Sequence, residues 1–405
     1  MKVFKSKKIL VYYFLFISIG VVNFLFHKIN VSGDTSISEY LINYSGGMTR
    51  RGFLGHFFIL LNYFTSISLR SIVLIFQISF HLFFLFYLFK LLVRNEKNLS
   101  LVDFFCVFSP LFLIYPLAEL ESLGRKEILI FLSFVYLVYS SNKNLKIIFF
   151  AYSFFILPII TLTWELVVLF YPFYSIVFCL KKKCKSLIDF LVINSIFIPS
   201  ILIFFFIWLN PLSFEGHKIM CNTINILDPT GPKFGLHGCY GSASMLVTAT
   251  IYFDTLWLHD KATFFNYLRY FIYFIVGFFP IFFTLVKAKS QFSNIFILNK
   301  VKNSLLIILL LYIPIPLIFI YGLDWGRWIN IVFVLTYILF IFLRENKFIK
   351  LQAFENYQIG KKTMILLFFL CCLSWNPKIV LWEDTGSFPL YRVTIKIIKD
   401  VNRAF

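Results

Sequence analysis

Four arginines stand where long apolar runs break off. Arg50 and Arg51 follow the turn Ser45-Gly46-Gly47, Arg125 lies within Glu119–Glu127 (ELESLGRKE), and Arg327 closes Tyr321–Arg327 (YGLDWGR). A guanidinium fork matches phosphate oxygens in pairs, which an ammonium group does not. The same breaks hold Asp34, Glu39, Glu119, Glu121, Glu127, Glu165 and Asp324. Glu165 ends TLTWE between two apolar runs, and a carboxylate in such surroundings makes a general base. Asp324 and Glu39 are the other candidate catalytic acids. Gly124 and Gly326 each directly precede an arginine, and glycine permits tight turns and close approach to an anion. The plainer alternative is that each arginine pairs with a local acid. On that reading Glu127 complements a helix dipole, and Asp34 or Glu39 caps a short helix over residues 38–44. There is no GxGxxG and no GK[ST], so no nucleotide site is indicated.

The elements that hold these residues follow from composition. Of 405 residues, 60% are hydrophobic and only 14% charged, with a mean hydropathy of +0.84. That excludes a soluble enzyme, a nucleic-acid-binding domain and a disordered chain. Apolar runs of about 20 residues, enough to cross a bilayer, begin near Ile9, Ser71, Leu101, Glu127, Ile147, Trp164, Leu187, Asn266, Leu305, Trp328 and Thr363. The expected fold is all-α: one polytopic transmembrane domain, 1–405, of about eleven helices. Its fifth and sixth helices form a hairpin turning between Pro158 and Glu165. Lysine-rich segments such as Lys181–Lys185 alternate with the acid- and arginine-bearing ones. The positive-inside bias therefore places the N-terminus in the cytoplasm, and the net charge of +19 calls for no nucleic acid. Segments 27–70, 119–127, 210–265 and 321–327 fall on the extracytoplasmic side. Cys221 and Cys239 share the longest of these and are expected to close it with a disulfide. No His or Cys spacing suggests a metal site. Near the end, Val393, Ile395, Ile397 and Ile398 alternate with Arg392, Lys396 and Lys399, which suits a segment lying on the membrane surface.

The outer segment with Tyr44, Gly46, Gly47, Arg50 and Arg51, then SLGRKE at a helix start, then DWGRW, resembles polytopic bacterial polysaccharide repeat-unit polymerases. These are the O-antigen and capsule polymerases and their relatives. The resemblance implies an inner-membrane enzyme, active on its extracytoplasmic side, that joins polyprenyl-diphosphate-linked oligosaccharides. Donor and acceptor would both be polyprenyl-linked saccharides, and other polysaccharide-assembly proteins would be partners. It implies that Arg125 and Arg327 engage the lipid diphosphate; Arg50 and Arg51, on the same face, are expected to join them, and no cofactor is expected. The chain departs from the O-antigen ligase pattern in having no arginine in its longest outer segment. A second resemblance is to GT-C glycosyltransferases, which add one sugar from a polyprenyl-phosphate donor and commonly use a divalent metal. There Asp34 or Glu39 would match the acid of the first outer loop. A transporter of polysaccharide or lipid carrier is the non-enzymatic alternative, disfavoured because ionisable residues sit at helix ends rather than at the bilayer midplane.

Overall fold

The computed structural model describes residues 7–31, 34–94, 100–229, 262–292, 304–350, 361–383, 386 and 389–404. In chain order the helices are α1 (Lys7–Lys28), α2 (Thr35–Leu41), α3 (Gly52–Thr65), α4 (Leu69–Val93), α5 (Leu101–Val107), α6 (Tyr115–Ala118), α7 (Ile128–Tyr139), α8 (Leu145–Ala151), α9 (Leu157–Thr163) and α10 (Tyr171–Lys182). They continue with α11 (Leu187–Asn194), α12 (Ile198–Leu209), α13 (Phe214–Leu227), α14 (Phe264–Lys287), α15 (Ser304–Leu311), α16 (Pro316–Tyr321), α17 (Trp325–Glu345), α18 (Lys361–Phe368) and α19 (Pro389–Ala404). A two-residue antiparallel ladder pairs Lys289–Ser290 with Ile349–Lys350. Among the described residues, six helical stretches are long and apolar enough to cross a membrane: 7–28, 69–93, 142–163, 187–209, 264–287 and 325–345.

The bundle is built around α17. Every residue from Gly326 to Leu343 is buried, as expected of a helix that is apolar all round and wrapped by protein. Its neighbours include α7, α10, α14 and α16. The outer helices behave differently. On α12, Ile198, Leu202, Phe206 and Leu209 point outward and are exposed. Such a surface suits lipid tails, which solvate it at no cost.

The expected hairpin is present. α8 passes through a π turn over Tyr152–Ile156 into α9, whose first turn holds Pro158. The chain reverses at Trp164, where the backbone is extended (φ −155°, ψ 97°), and a 3-10 segment Glu165–Phe170 leads into α10.

The segment 27–70 is less loop than its charges suggest. It contains α2 and the apolar α3, which rests on α2, α4 and α9. At 14 residues α3 is about 20 Å long, short of the ~30 Å a crossing needs. A close approach of two backbones seats α13 on the turn before α3. A methyl on Gly46 would lie 1.7 Å from the Gly216 carbonyl oxygen, and one on Gly216 would lie 2.4 Å from that of Gly46. Around this contact Tyr40, Ile42, Phe58, Met220 and Ile224 form a small core of their own. Cys221, buried beside them, is disulfide-bonded. Cys239, the partner expected from the sequence, lies outside the described residues, as does most of the long segment, 230–261.

The C-terminal segment is the amphipathic helix α19. Val393 is fully buried, while Tyr391 and Ile398 are exposed on another face. Lys396 Nζ donates to the Ala118 carbonyl at 2.8 Å, which fixes α19 to the same end of the bundle as α6. Gly46→Ala is expected to cost about 1–3 kcal/mol, because neither backbone can retreat from the overlap. Thermal unfolding of the detergent-purified protein measures this, and an unchanged midpoint would mean that the two backbones do not touch.

Candidate functional site

The site begins with a helix cap. Asp34 accepts from the amides of Ser36 (2.9 Å) and Ile37 (3.1 Å) and so starts α2, which carries Glu39 and Tyr40 into the protein. Glu39 is 1% exposed. Its two oxygens take different arginines: Oε1 is 3.1 Å from Arg51 Nη1 and Oε2 is 3.1 Å from Arg125 Nη1. Arg51 reaches on to Glu165, its Nε donating at 3.0 and 3.2 Å to the two carboxylate oxygens. Arg50 Nη1 stands 3.9 Å from Glu165 Oε1. Arg125 also donates to the Glu121 carbonyl at 2.7 Å and to Thr35 Oγ1 at 2.8 Å. One connected set of charges thus joins α2, the start of α3, the 119–127 segment and the hairpin tip.

A second arginine group adjoins it at the start of α17. Arg327 lies between Glu127 (3.2 Å) and Asp324 (3.1 Å) and over the Trp328 ring, 4.4 Å from its centre. Between the groups sits Lys126, fully buried. Its Nζ donates to the Arg51 carbonyl at 2.9 Å and lies 5.5 Å from the centre of the Tyr40 ring. Arg51 has a left-handed backbone, φ 63°, so this bond holds a strained turn in place.

Each titrating group reflects its neighbours. Burial alone would raise Glu39, but Arg125, Arg51 and Lys126 outweigh it and bring its pKa down to about 2. Burial pushes Lys126 down to about 7, against the pull of Glu39. Glu127 moves the other way: burial raises it and Glu39 adds to the rise, while Arg327 opposes both. The difference is one of charge: four cations act on Glu39, whereas Glu127 has chiefly Arg327 and stands beside the Glu39 carboxylate. Arg327 Nε is near Glu127 Oε1 without a hydrogen bond, and among the described residues no other residue donates to either Glu127 oxygen.

Beside Glu127 is a cavity of about 50 Å³, lined at its charged end by Arg125, Glu127, Arg327 and Asn330. It continues between α1, α4, α7 and α17 along Ile17, Val21, Phe84, Phe131 and Val334, with His81 on its wall. That volume holds a few waters. Gln77, one turn from His81, donates to the Gly124 carbonyl at 2.8 Å. Gly124 has φ 78°, so α4 helps fix the turn that presents Arg125.

Two further ion groups brace this end. Lys28 Nζ lies 3.4 Å from Asp34 and donates to the carbonyls of Leu120 (2.8 Å) and Leu123 (2.9 Å). Glu119 accepts from Asn376 at 2.8 Å and from Arg392 of α19, with Lys378 at 3.6 Å.

All seven residues singled out for catalysis or phosphate binding therefore meet at one end of the bundle. Their condition differs from the expectation in two ways. The arginines are paired with carboxylates, as the plainer alternative has it, rather than presented as open forks. Glu165 has arginine partners where the sequence suggests apolar surroundings, because Arg50 and Arg51, more than 100 residues away, fold onto it. Arg125 and Arg327 line the cavity, whereas Arg50, Arg51, Glu39, Glu165 and Asp324 are not among its lining residues. Glu127 and Lys126 are the residues that sequence reasoning underrated. Their one signal is that the adjacent charges of Arg125-Lys126-Glu127 open an apolar helix. Among the described residues no group of three His, Cys, Asp or Glu side chains is placed to hold a metal ion. No family model, curated protein or solved structure matches this chain.

Lys126 makes stability depend on pH. The unfolded chain keeps a lysine proton up to about 10.5, the folded one only up to about 7. Between these values the unfolded state binds more protons, so stability rises with pH. Denaturant titrations between pH 7 and 10 are expected to show a slope of up to ~1.4 kcal/mol per pH unit. Lys126→Met is expected to lack that component, and an equal slope in the variant would refute the assignment.

Proposed function

We propose that this protein is a glycosyltransferase that polymerises polyprenyl-diphosphate-linked oligosaccharide repeat units at the outer leaflet of a bacterial inner membrane. One observation carries the reading: a cavity that begins among Arg125, Glu127 and Arg327 and runs on between apolar helices. A lipid-linked diphosphate needs that combination, with cations for the phosphate and apolar surroundings for the tail. At about 50 Å³ the cavity holds only waters as it stands, so α1, α4, α7 and α17 would have to part to admit the lipid. We infer eleven crossings with the N-terminus in the cytoplasm. The shorter ones are made by α5–α6, α7, α10, α15–α16 and α18, so that the charged end faces outward.

In the reaction the acceptor hydroxyl attacks the anomeric carbon, the bond from that carbon to the phosphate oxygen breaks, and the lipid diphosphate leaves. Arg125 and Arg327 would stabilise the charge that develops on the leaving group. Glu127 would take the hydroxyl proton, since it lines the cavity, accepts no hydrogen bond from another described residue and has a raised pKa. We assign Glu39 and Glu165 to positioning, because each carboxylate is already held by arginines. Asp324 orients Arg327. Arg50 and Arg51 complete the frame, and no cofactor is required.

Arg125→Ala and Arg327→Ala are expected to remove long surface polysaccharide while the protein stays in the membrane. Glu127→Gln keeps the side-chain shape and is expected to do the same, lowering turnover by about 100-fold or more. The wild type should lose activity as pH falls through the raised pKa of Glu127. Gel ladders of surface glycan, beside the lipid-linked precursors, check this. A single repeat unit left on the lipid supports polymerisation, a truncated unit supports single-sugar transfer, and unchanged ladders in all three variants would overturn the proposal.

A further inference from the structure

The opposite end of α17 holds a second cavity, unrelated to the site above and independent of its proposed function. It measures about 410 Å³ and lies where α10 and α17 end beside the ladder 289–290/349–350. Its polar lining is Lys181, Lys183, Lys347, Asn142, Asn346 and Gln291, over an apolar floor that includes Leu180 and Phe342. No described residue of the lining is acidic. Some 18 residues of helix separate it from Arg327, about 27 Å at 1.5 Å per residue.

Two independent features distinguish it from a patch of surface lysines. Lys183 and Lys347 both have left-handed backbones, φ 56° and 59°. Each ends its helix with a bond from the next residue's amide to a carbonyl five residues back: Cys184 to Cys179 at 3.1 Å, and Phe348 to Leu343 at 2.9 Å. Glycine ordinarily takes this position, so two lysines accept the strain at one cavity. Lys181 is the buried member, and its Nζ is held by the Ser140 carbonyl (2.6 Å) and hydroxyl (2.9 Å). The wall is equally fixed: Gln291 N donates to the Phe348 carbonyl at 2.8 Å, and Phe292 stacks on Phe348.

Charge arithmetic favours an anion of low valence. Two helix C-termini bring roughly half a negative charge each, against three lysines, which leaves a balance of about two positive charges. Of the acids nearby in the chain, Asp189 lies 3.5 Å from Lys182 and Glu345 has a partner of its own; neither lines the cavity. Arg94, the charged neighbour of Lys181 from α4, adds to the positive field. The volume falls within the range of small-ligand sites. The amides of Asn142 and Gln291 supply donors that phosphate oxygens accept, while Asn346 Nδ2 already donates to the Phe342 carbonyl at 2.9 Å and has one hydrogen left.

We propose that this cavity binds a single phosphate group, with Lys183 and Lys347 as its clamps and Lys181 at its base. The phosphate belongs either to an anionic lipid headgroup or to a soluble phosphate compound. The test uses the full-length protein in detergent, titrated with phosphatidylglycerol, with phosphatidylcholine and with inorganic phosphate at constant ionic strength, reading the thermal midpoint. A rise of at least about 2 °C with phosphatidylglycerol alone identifies the lipid source, and a rise with inorganic phosphate as well identifies the soluble one. Lys183→Gly with Lys347→Gly suits the left-handed backbone, so it should fold and lose the response. Lys183→Gln with Lys347→Gln should lose it too, and the Arg pair should keep it. An equal response in the wild type and in either neutral variant, or none in the wild type, would overturn the proposal.

Discussion

Burying a carboxylate as completely as Glu39 costs several kcal/mol unless cations and hydrogen bonds surround it. Nothing in its own short helix supplies them. The cations come from the turn before α3 and from the 119–127 segment, and Arg51 in turn draws in the hairpin tip through Glu165. Each of these segments breaks between apolar runs and has little reason of its own to adopt one shape. The ion network therefore decides how they sit. Removing one member would leave the others charged and unpaired, which costs more than the pair contributes when intact. The bundle end is held as a unit, and the cavity beside Glu127 takes its form from that unit.

The same end is braced from beneath and from the side. Lys28, at the end of α1, bonds two carbonyls of the 119–127 segment. Gln77 of α4 holds the carbonyl of Gly124, and Arg392 of α19 meets Glu119. Gly326 shows how tight this is: a methyl there would lie 1.9 Å from the Lys378 carbonyl oxygen, while the Gly326 amide donates to the Ile379 carbonyl at 3.1 Å. The glycine before Arg327 therefore serves the C-terminal strap more directly than it serves an anion. That before Arg125 does need its freedom, at φ 78°.

Much of this was legible because membranes simplify the code. Apolar length locates the helices, and charges at helix ends stand out where one residue in seven is charged. The hairpin over Pro158–Glu165 and the meeting of Glu39, Arg51, Arg125, Glu165 and Arg327 follow from that contrast. Pairing was not legible, because an arginine and a glutamate 114 positions apart carry no mark of each other. α3 was hidden because it is apolar yet shorter than a crossing. Glu127 was passed over because a helix-opening acid has an ordinary explanation in the dipole. Its place on the cavity wall and the want of a donor from any other described residue set it apart.

The two ends of α17 treat charge in opposite ways, and the reason is solvent. At the Arg327 end the basic groups are buried and nearly matched by acids, since an unmatched buried cation would be expelled or neutralised. At the Phe342 end Lys183 and Lys347 stay exposed, so water can carry their charge and no carboxylate is required. Matching serves position: it fixes guanidinium groups in a place where little water remains to reorganise. Leaving lysines unmatched serves attraction, because an incoming anion then meets no competitor already in the site. A single buried helix can carry both arrangements because its apolar length keeps them about 27 Å apart, more than two Debye lengths in physiological salt.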